Sequence, residues 1–424
     1  MKRIWVLLLI ILIFAIQATG CNSSGAKNSE QASEKEIIAA RPSVLDMGRG
    51  KLTSLPSYDR YVTGFLQIDL RSHDLSSIYL KNRFDDLINA DFDNKTIWPY
   101  GLPKNFDPKE IMKNGKDPGL QIRELHKNGI TGRGVGIAVI GDTLLIDHAE
   151  YGDRLRYYKE IDKTEGPASI SGCAVASVAA GKTVGVAPGS DLYYIVNTDN
   201  SKVAGDDSIN NEKNGIAGMY QYSSIAASID RVIGINHELP EDRKIRVICI
   251  GFELKNDDGY YNSIAEVVNK ASENGIFVIS NLLYETYNYK YDFNGLGRNP
   301  LADPNVFSSY EPGSWWKNTF FMFERYSRTN EALLVPTDSR CTASPTGSDD
   351  YAYYSNGLKS FSYAYIAGLY ALACQVKPDI TPGEFWDIAL RTGETIEIIN
   401  KNIDYNYKLK KVVNPVKLIE KIQR

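Results

Sequence analysis

The chain has 424 residues, with 48 Lys+Arg, 52 Asp+Glu, four His and five Cys. A composition that is 43% apolar and 24% charged fits a folded globular chain and excludes wholesale disorder. A formal charge of −4 argues against a nucleic-acid binder, which needs a basic face, and so few His and Cys leave little material for a metal cluster or a disulfide scaffold.

Lys2 and Arg3 precede an apolar run from Ile4 to Ile16. Its 13 residues are too few to cross a bilayer comfortably and suit the apolar part of an export signal. Ala18-Thr19-Gly20-Cys21 comes next and resembles the bacterial lipobox. The resemblance implies that residues 1–20 are a lipoprotein signal peptide and that Cys21 is lipidated and becomes the mature N-terminus. The protein would then sit on the extracytoplasmic side of the cell membrane. Durable anchoring needs more than one acyl chain, since one alone is marginal. Removing residues 1–20 takes away two positive charges and moves the formal charge from −4 to −6. An acidic body without a polybasic stretch does not seek anionic lipid, so the lipid would be the only membrane contact.

Residues 21–56, rich in Ser, Asn, Lys, Glu and Gly, read as a flexible tether. Residues 57–116 read as a small appended segment. Within it Leu70, Leu75 and Leu80 recur every five residues, with Asp69 and Asp74 before the first two. This pattern predicts a short pentapeptide-type coil that packs on the larger domain C-terminal to it. Asp91 and Asp93 hint at a cation site, but a Gly turn and a later bidentate Glu are missing, so no metal is assigned.

Residues 117–424 read as one large α/β domain. Leu120 to Lys127 is a short helix, Gly136 to Ile140 an apolar strand and Ala174 to Ala180 a small-residue helix. Asp191 to Val196 is a strand, Ser223 to Ile235 an amphipathic helix and Arg246 to Gly251 a strand. Ser263 to Asn274 is a helix and Ile276 to Ser280 a strand. This alternation predicts a parallel sheet covered on both faces. Glu384 to Arg391 and Pro415 to Ile422 read as closing helices. Residues 286–330, with Trp315 and Trp316, form an aromatic-rich insertion that either borders a peptide groove or packs on the sheet edge. Cys249 and Cys374 lie in apolar runs, as small buried hydrophobes do. The Gly132-x-Gly134-x-Gly136 run comes after a helix and precedes a strand, the reverse of a dinucleotide fingerprint.

Several segments, in this order, resemble the subtilisin-like serine peptidases (subtilases). Asn128-Gly129-Ile130-Thr131-Gly132-Arg133-Gly134-Val135-Gly136-Ile137-Ala138-Val139-Ile140 is similar to the family's turn and first core strand. Asp147-His148-Ala149-Glu150-Tyr151 is similar to the HPxL stretch after the catalytic Asp. Ser171-Gly172-Cys173-Ala174-Val175-Ala176-Ser177 is similar to the HGTHVA helix start. Val184-Gly185-Val186-Ala187-Pro188-Gly189 is similar to a further family signature. Ser360-Phe361-Ser362-Tyr363-Ala364-Tyr365-Ile366-Ala367-Gly368 is similar to the helix opening SMATPHVAG. The matches span residues 117–400. They imply a subtilisin-like three-layer α/β domain with a mostly parallel sheet, plus the small N-terminal appendage.

The family's chemistry needs a Ser nucleophile, a His base, an Asp that orients the His and an Asn at the oxyanion. Ser360 stands at the nucleophile position, eight residues before Gly368, where it could equally be an ordinary helix cap. The His is absent, and Ser171 stands in its place. A serine hydroxyl is not a base near neutral pH. In subtilisin itself, losing this His costs on the order of a millionfold in turnover. Counting back the family's seven residues from His148 reaches Gly141, and Asp142 lies one residue out of register. At a strand end one step turns a side chain to the other face, so Asp142 needs a local bulge to serve. Leu283-Tyr284-Glu285 replaces the expected Gly-Asn-Glu, with Asn281 nearby. His73, His126, His148 and His237 fall outside the base position. Cys173 starts a helix, where a thiol either acidifies or is simply buried.

These departures predict a lipid-anchored subtilisin-like protein that is an inactive or strongly impaired peptidase and binds a peptide or protein partner. It would need no cofactor and no metal. The alternative is a serine-type endopeptidase with an altered catalytic apparatus.

Overall fold

The computed structural model describes residues 37–38, 40–59, 62, 65–161, 166–197, 222–251, 261–280, 290–323, 332–400 and 405–424. Cys21 and the signal segment, residues 281–289 with Asn281, and part of the 286–330 insertion lie outside them.

In chain order the elements begin β1 (Ile37–Ile38), α1 (Phe84–Ile88), β2 (Phe92–Asp93), α2 (Pro108–Gly115) and α3 (Ile122–Lys127). Then come β3 (Gly136–Gly141), β4 (Leu155–Glu160), α4 (Ile170–Ala180), β5 (Asp191–Val196), α5 (Tyr222–Glu238), β6 (Ile245–Ile250), α6 (Tyr261–Glu273) and β7 (Phe277–Ile279). The C-terminal half adds β8 (Phe293–Arg298), β9 (Tyr310–Pro312), α7 (Lys317–Phe323), β10 (Leu333–Pro336), β11 (Arg340–Ala343), β12 (Tyr351–Tyr354) and α8 (Lys359–Val376). It closes with α9 (Pro382–Thr392), β13 (Glu394–Asn400), β14 (Tyr405–Val412) and α10 (Pro415–Ile422).

The main sheet has the order β1-β4-β5-β3-β6-β7, and all its pairings are parallel. Side-chain alternation along the strands explains its three layers. Ile137 and Val139 of β3 join Tyr194, Val247 and Cys249 on the face covered by α4 and α8. Ala138 and Ile140 join Tyr193, Ile195, Ile248 and Ile250 on the other face, under Ile225, Ile229, Ile264 and Val268 of α5 and α6. Burial on both faces is why these strands read as unbroken apolar runs. Helix α8 is buried on all sides from Ser360 to Cys374, so it threads the core rather than capping it.

A second sheet, β13-β14-β10-β8-β9, holds much of the aromatic insertion. Trp316 Nε1 donates to Gly295 O at 2.6 Å and Phe320 is buried beside it, so these aromatics pack on the sheet. The third sheet, β11-β12-β2, brings in the N-terminal segment: Phe92 and Asp93 pair antiparallel with Tyr353 and Ala352.

That segment is not the expected five-residue coil. Its strand-like rungs stack in parallel as Lys51 on Asp74 on Ile97, 23 residues apart at each step, and Asp69 on Asp91, 22 apart. Leu70, Leu75 and Leu80 do all face inward, with Leu87 and Phe92, so the five-residue spacing reflects one core and not one turn. The expected tether also engages the body from Ile37 onward. β1 pairs with β4, Leu45 N donates to Pro345 O at 2.9 Å, and Leu55 is buried. A few apolar residues in a polar stretch are enough to dock it. Among the described residues no helix is long and apolar enough to cross a membrane.

Candidate functional site

Asp142 directly follows β3, Ser171 lies in the first turn of α4 and Ser360 in the first turn of α8, three elements that pack on one another. Gly368 sets the spacing of the two helices. A Cβ there would lie 2.6 Å from Val186 Cβ and 2.8 Å from Ala179 O. The Val184–Gly189 segment is itself laid along α4, with Val186 N on Val178 O at 3.0 Å and Ala187 N on Ala179 O at 2.9 Å. Helix α4, the Val184–Gly189 segment and α8 therefore touch at one point.

Ser360 is the second residue of α8 and is 6% exposed. The loop before it is pinned from two sides. Gly357 N donates to Asp338 Oδ1 at 2.8 Å, and Ser355 N donates to Asp91 Oδ1 at 2.7 Å. Among the described residues, nothing is hydrogen-bonded to Ser360 Oγ.

Ser171 is half-buried in the first turn of α4. Its N–H donates to Ser169 Oγ at 3.2 Å, which makes Ser169 the N-cap of that helix. Asp142 comes directly after the end of β3, and its Oδ2 lies 3.5 Å from Ser169 Oγ. Ser169 N donates to Thr143 O at 3.0 Å, closing the corner. The structure thus brings Asp142 to the N-terminus of α4, beside Ser169 and Ser171. Motif spacing alone does not single out Ser169, although a Ser two residues ahead of Ser171 is a helix-start signal.

Each imidazole is engaged elsewhere. His73 Nδ1 is 3.0 Å from Gly50 O and His126 Nε2 is 2.8 Å from Val186 O. His237 Nε2 is 2.7 Å from Asn274 Oδ1. His148 is fully buried. Its Nδ1 accepts from Glu150 N at 3.2 Å and its Nε2 donates to Asp350 O at 2.9 Å, which defines the neutral tautomer. Burial holds the His148 and His126 rings below the ordinary histidine range. Burial also pushes the Cys173 thiol up to about 11, so the helix start does not make it a thiolate.

Glu150, within the matched Asp147–Tyr151 stretch, is a structural anchor. Its Oε2 accepts from Thr183 N at 2.8 Å and Val184 N at 3.2 Å, and its Oε1 from Tyr351 Oη at 2.6 Å. It fixes the turn into Val184–Gly189. In the N-terminal segment the Asp93 carboxylate is likewise occupied by the chain's own donors, accepting from Ser72 N at 2.8 Å and Thr96 Oγ1 at 2.9 Å. Among the described residues no group of three or more His, Cys, Asp or Glu is placed to hold a metal ion.

Chemically, the corner holds two hydroxyls and one carboxylate. Among the described residues, none of the four imidazoles is hydrogen-bonded to Ser360 Oγ.

The class that these observations define is a three-layer α/β domain with a parallel central sheet. No family model matches this chain, and no curated protein matches it. Among solved structures it is similar to the structure of the prenylagaramide maturation protease PagA. The two share 14% sequence identity at a TM-score of 0.46, covering 71% of this chain and 98% of that one.

Proposed function

We propose that this chain is a subtilisin-like protein without effective peptidase activity. It is held at the outer face of the cell membrane by lipid on Cys21 and acts by binding a peptide or protein partner. The observation that carries the proposal is the engagement of all four histidines away from Ser360. A serine hydroxyl needs a base to become a nucleophile at neutral pH, and Ser171 cannot be that base. The lipid anchor rests on the Gly20-Cys21 sequence alone. The alternative, an endopeptidase with an altered apparatus, is favoured by one observation, the buried start of α8 at Ser360. Hydrolysis of an unfolded protein substrate separates the two. The purified protein and its Ser360→Ala variant are expected to give the same background rate. A rate that Ser360→Ala abolishes contradicts the proposal.

A further inference from the structure

We infer that the Tyr194 hydroxyl, wedged between Gly141 and Gly172, is what closes position 141 to any side chain. The inference rests on the subtilisin-like reading, in which Gly141 stands where the Asp should be and Ser171, next to Gly172, where the His should be.

Gly141 ends β3 on the face covered by α4, the face that Val139 and Tyr194 share. A Cβ on Gly141 would lie 2.8 Å from Tyr194 Oη, closer than real Cβ atoms come to any neighbour. Its next neighbours, Tyr194 Cζ and Val139 Cγ1, would both be at 3.6 Å, an ordinary contact. One oxygen atom therefore decides whether position 141 can carry a side chain. The same atom presses on α4. A Cβ on Gly172 would meet the backbone first, Thr143 O and then Asp142 O at 2.6 Å, with Tyr194 Oη next at 2.9 Å. The phenol hydroxyl thus fills the space between the end of β3 and the first turn of α4.

Tyr194 is not free to swing away. Its Oη donates a 2.6 Å hydrogen bond to Asp142 O. Its ring stacks on Tyr158 of the neighbouring strand, with centroids 5.9 Å apart and planes at 23°. In the sheet it is paired with Tyr158 of β4 on one side and with Val139 of β3 on the other. The hydrogen bond also holds the Asp142–Thr143 peptide, and the Asp142 carboxylate lies toward Ser169. Restoring an Asp at 141 would thus not be sufficient with Tyr194 in place.

The test is a stability cycle read by thermal melting, with Gly141→Ala made in the natural protein and in Tyr194→Phe. Phe keeps the ring and removes the oxygen. The expected result is that Gly141→Ala lowers the melting temperature strongly beside Tyr194 and by less than about half as much beside Phe. If Gly141→Ala folds only in the Tyr194→Phe background, the inference also stands. Equal losses in the two backgrounds, or failure to fold in both, overturn it. Those outcomes say nothing about Ser360, whose reactivity is measured separately, so the two readings fail independently.

Discussion

The Asp91 carboxylate accepts a 2.7 Å hydrogen bond from the Ser355 backbone N–H, joining the stacked N-terminal segment to the chain that leads into Ser360. Its other oxygen, Oδ2, is buried without a hydrogen-bond partner. The groups facing this carboxyl are Asp69 and Arg71 from the neighbouring rung, and Tyr353, Tyr354 and Ser355 from β12 and its exit. Burial pushes the Asp91 carboxyl from 3.8 up to about 8, against the pull of the Ser355 N–H and the Arg71 guanidinium. A folded-state value above the unfolded one means that the native state holds the proton more tightly. The contribution to stability is full below the unfolded value and is lost as pH rises through about 8. The melting temperature is expected to fall from acid to mildly alkaline pH, and Asp91→Asn to flatten that slope. An unchanged slope in Asp91→Asn would show that another group is responsible.

Gly368 lies where α8 meets α4 and the Val184–Gly189 segment. An added Cβ would meet backbone, Ala179 O, at 2.8 Å, and Val186 Cβ at 2.6 Å. Overpacking of this kind costs about 1–3 kcal/mol. Gly368→Ala is expected to lose that much by urea denaturation, and Gly368→Leu more. A neutral Gly368→Ala would mean that the helices can separate without cost.

The four described cysteines are buried thiols. Burial pushes Cys173 and Cys374 up to about 11 and Cys341 up to about 12, and raises Cys249 as well. Alkylating reagents attack the thiolate. Peptide mapping after iodoacetamide treatment at pH 8 is expected to find these four unmodified in the native protein and all modified in denaturant. Rapid native labelling of Cys173 would contradict the geometry at the start of α4.

Cys21→Ala tests the anchor. Cell fractionation is expected to move the protein from the membrane fraction to the soluble extracytoplasmic fraction, because no polybasic stretch would retain it. Undiminished membrane association of Cys21→Ala would count against lipid as the attachment.

Much of the central fold can be read from the residues, for a physical reason. A parallel strand buried on both faces is a continuous apolar run, and β3, β5 and β6 appear in the sequence as such runs. The closing helices α9 and α10 carry clear starts, with Pro382 and Pro415 in their first turns. The features that are not legible depend on partners distant in sequence. The rung spacing of 22 or 23 residues is invisible to a pattern of leucines five apart. The β13–β14 hairpin is not evident from its residues either, although Ile396, Tyr407 and Leu409 turn out to be its inward side chains. At the site, Ser360, Ser171 and Asp142 can be picked out by motif spacing. Tyr194 cannot, because Tyr193-Tyr194 is an ordinary strand pair until the structure shows which ring faces Gly141.

The most direct test of the central claim is labelling of the purified protein by a serine-directed fluorophosphonate probe at neutral pH, with Ser360→Ala as control. The account predicts labelling no greater than that of Ser360→Ala, because Ser360 lacks a base. Labelling that Ser360→Ala abolishes would contradict it and establish an activated serine at the head of α8.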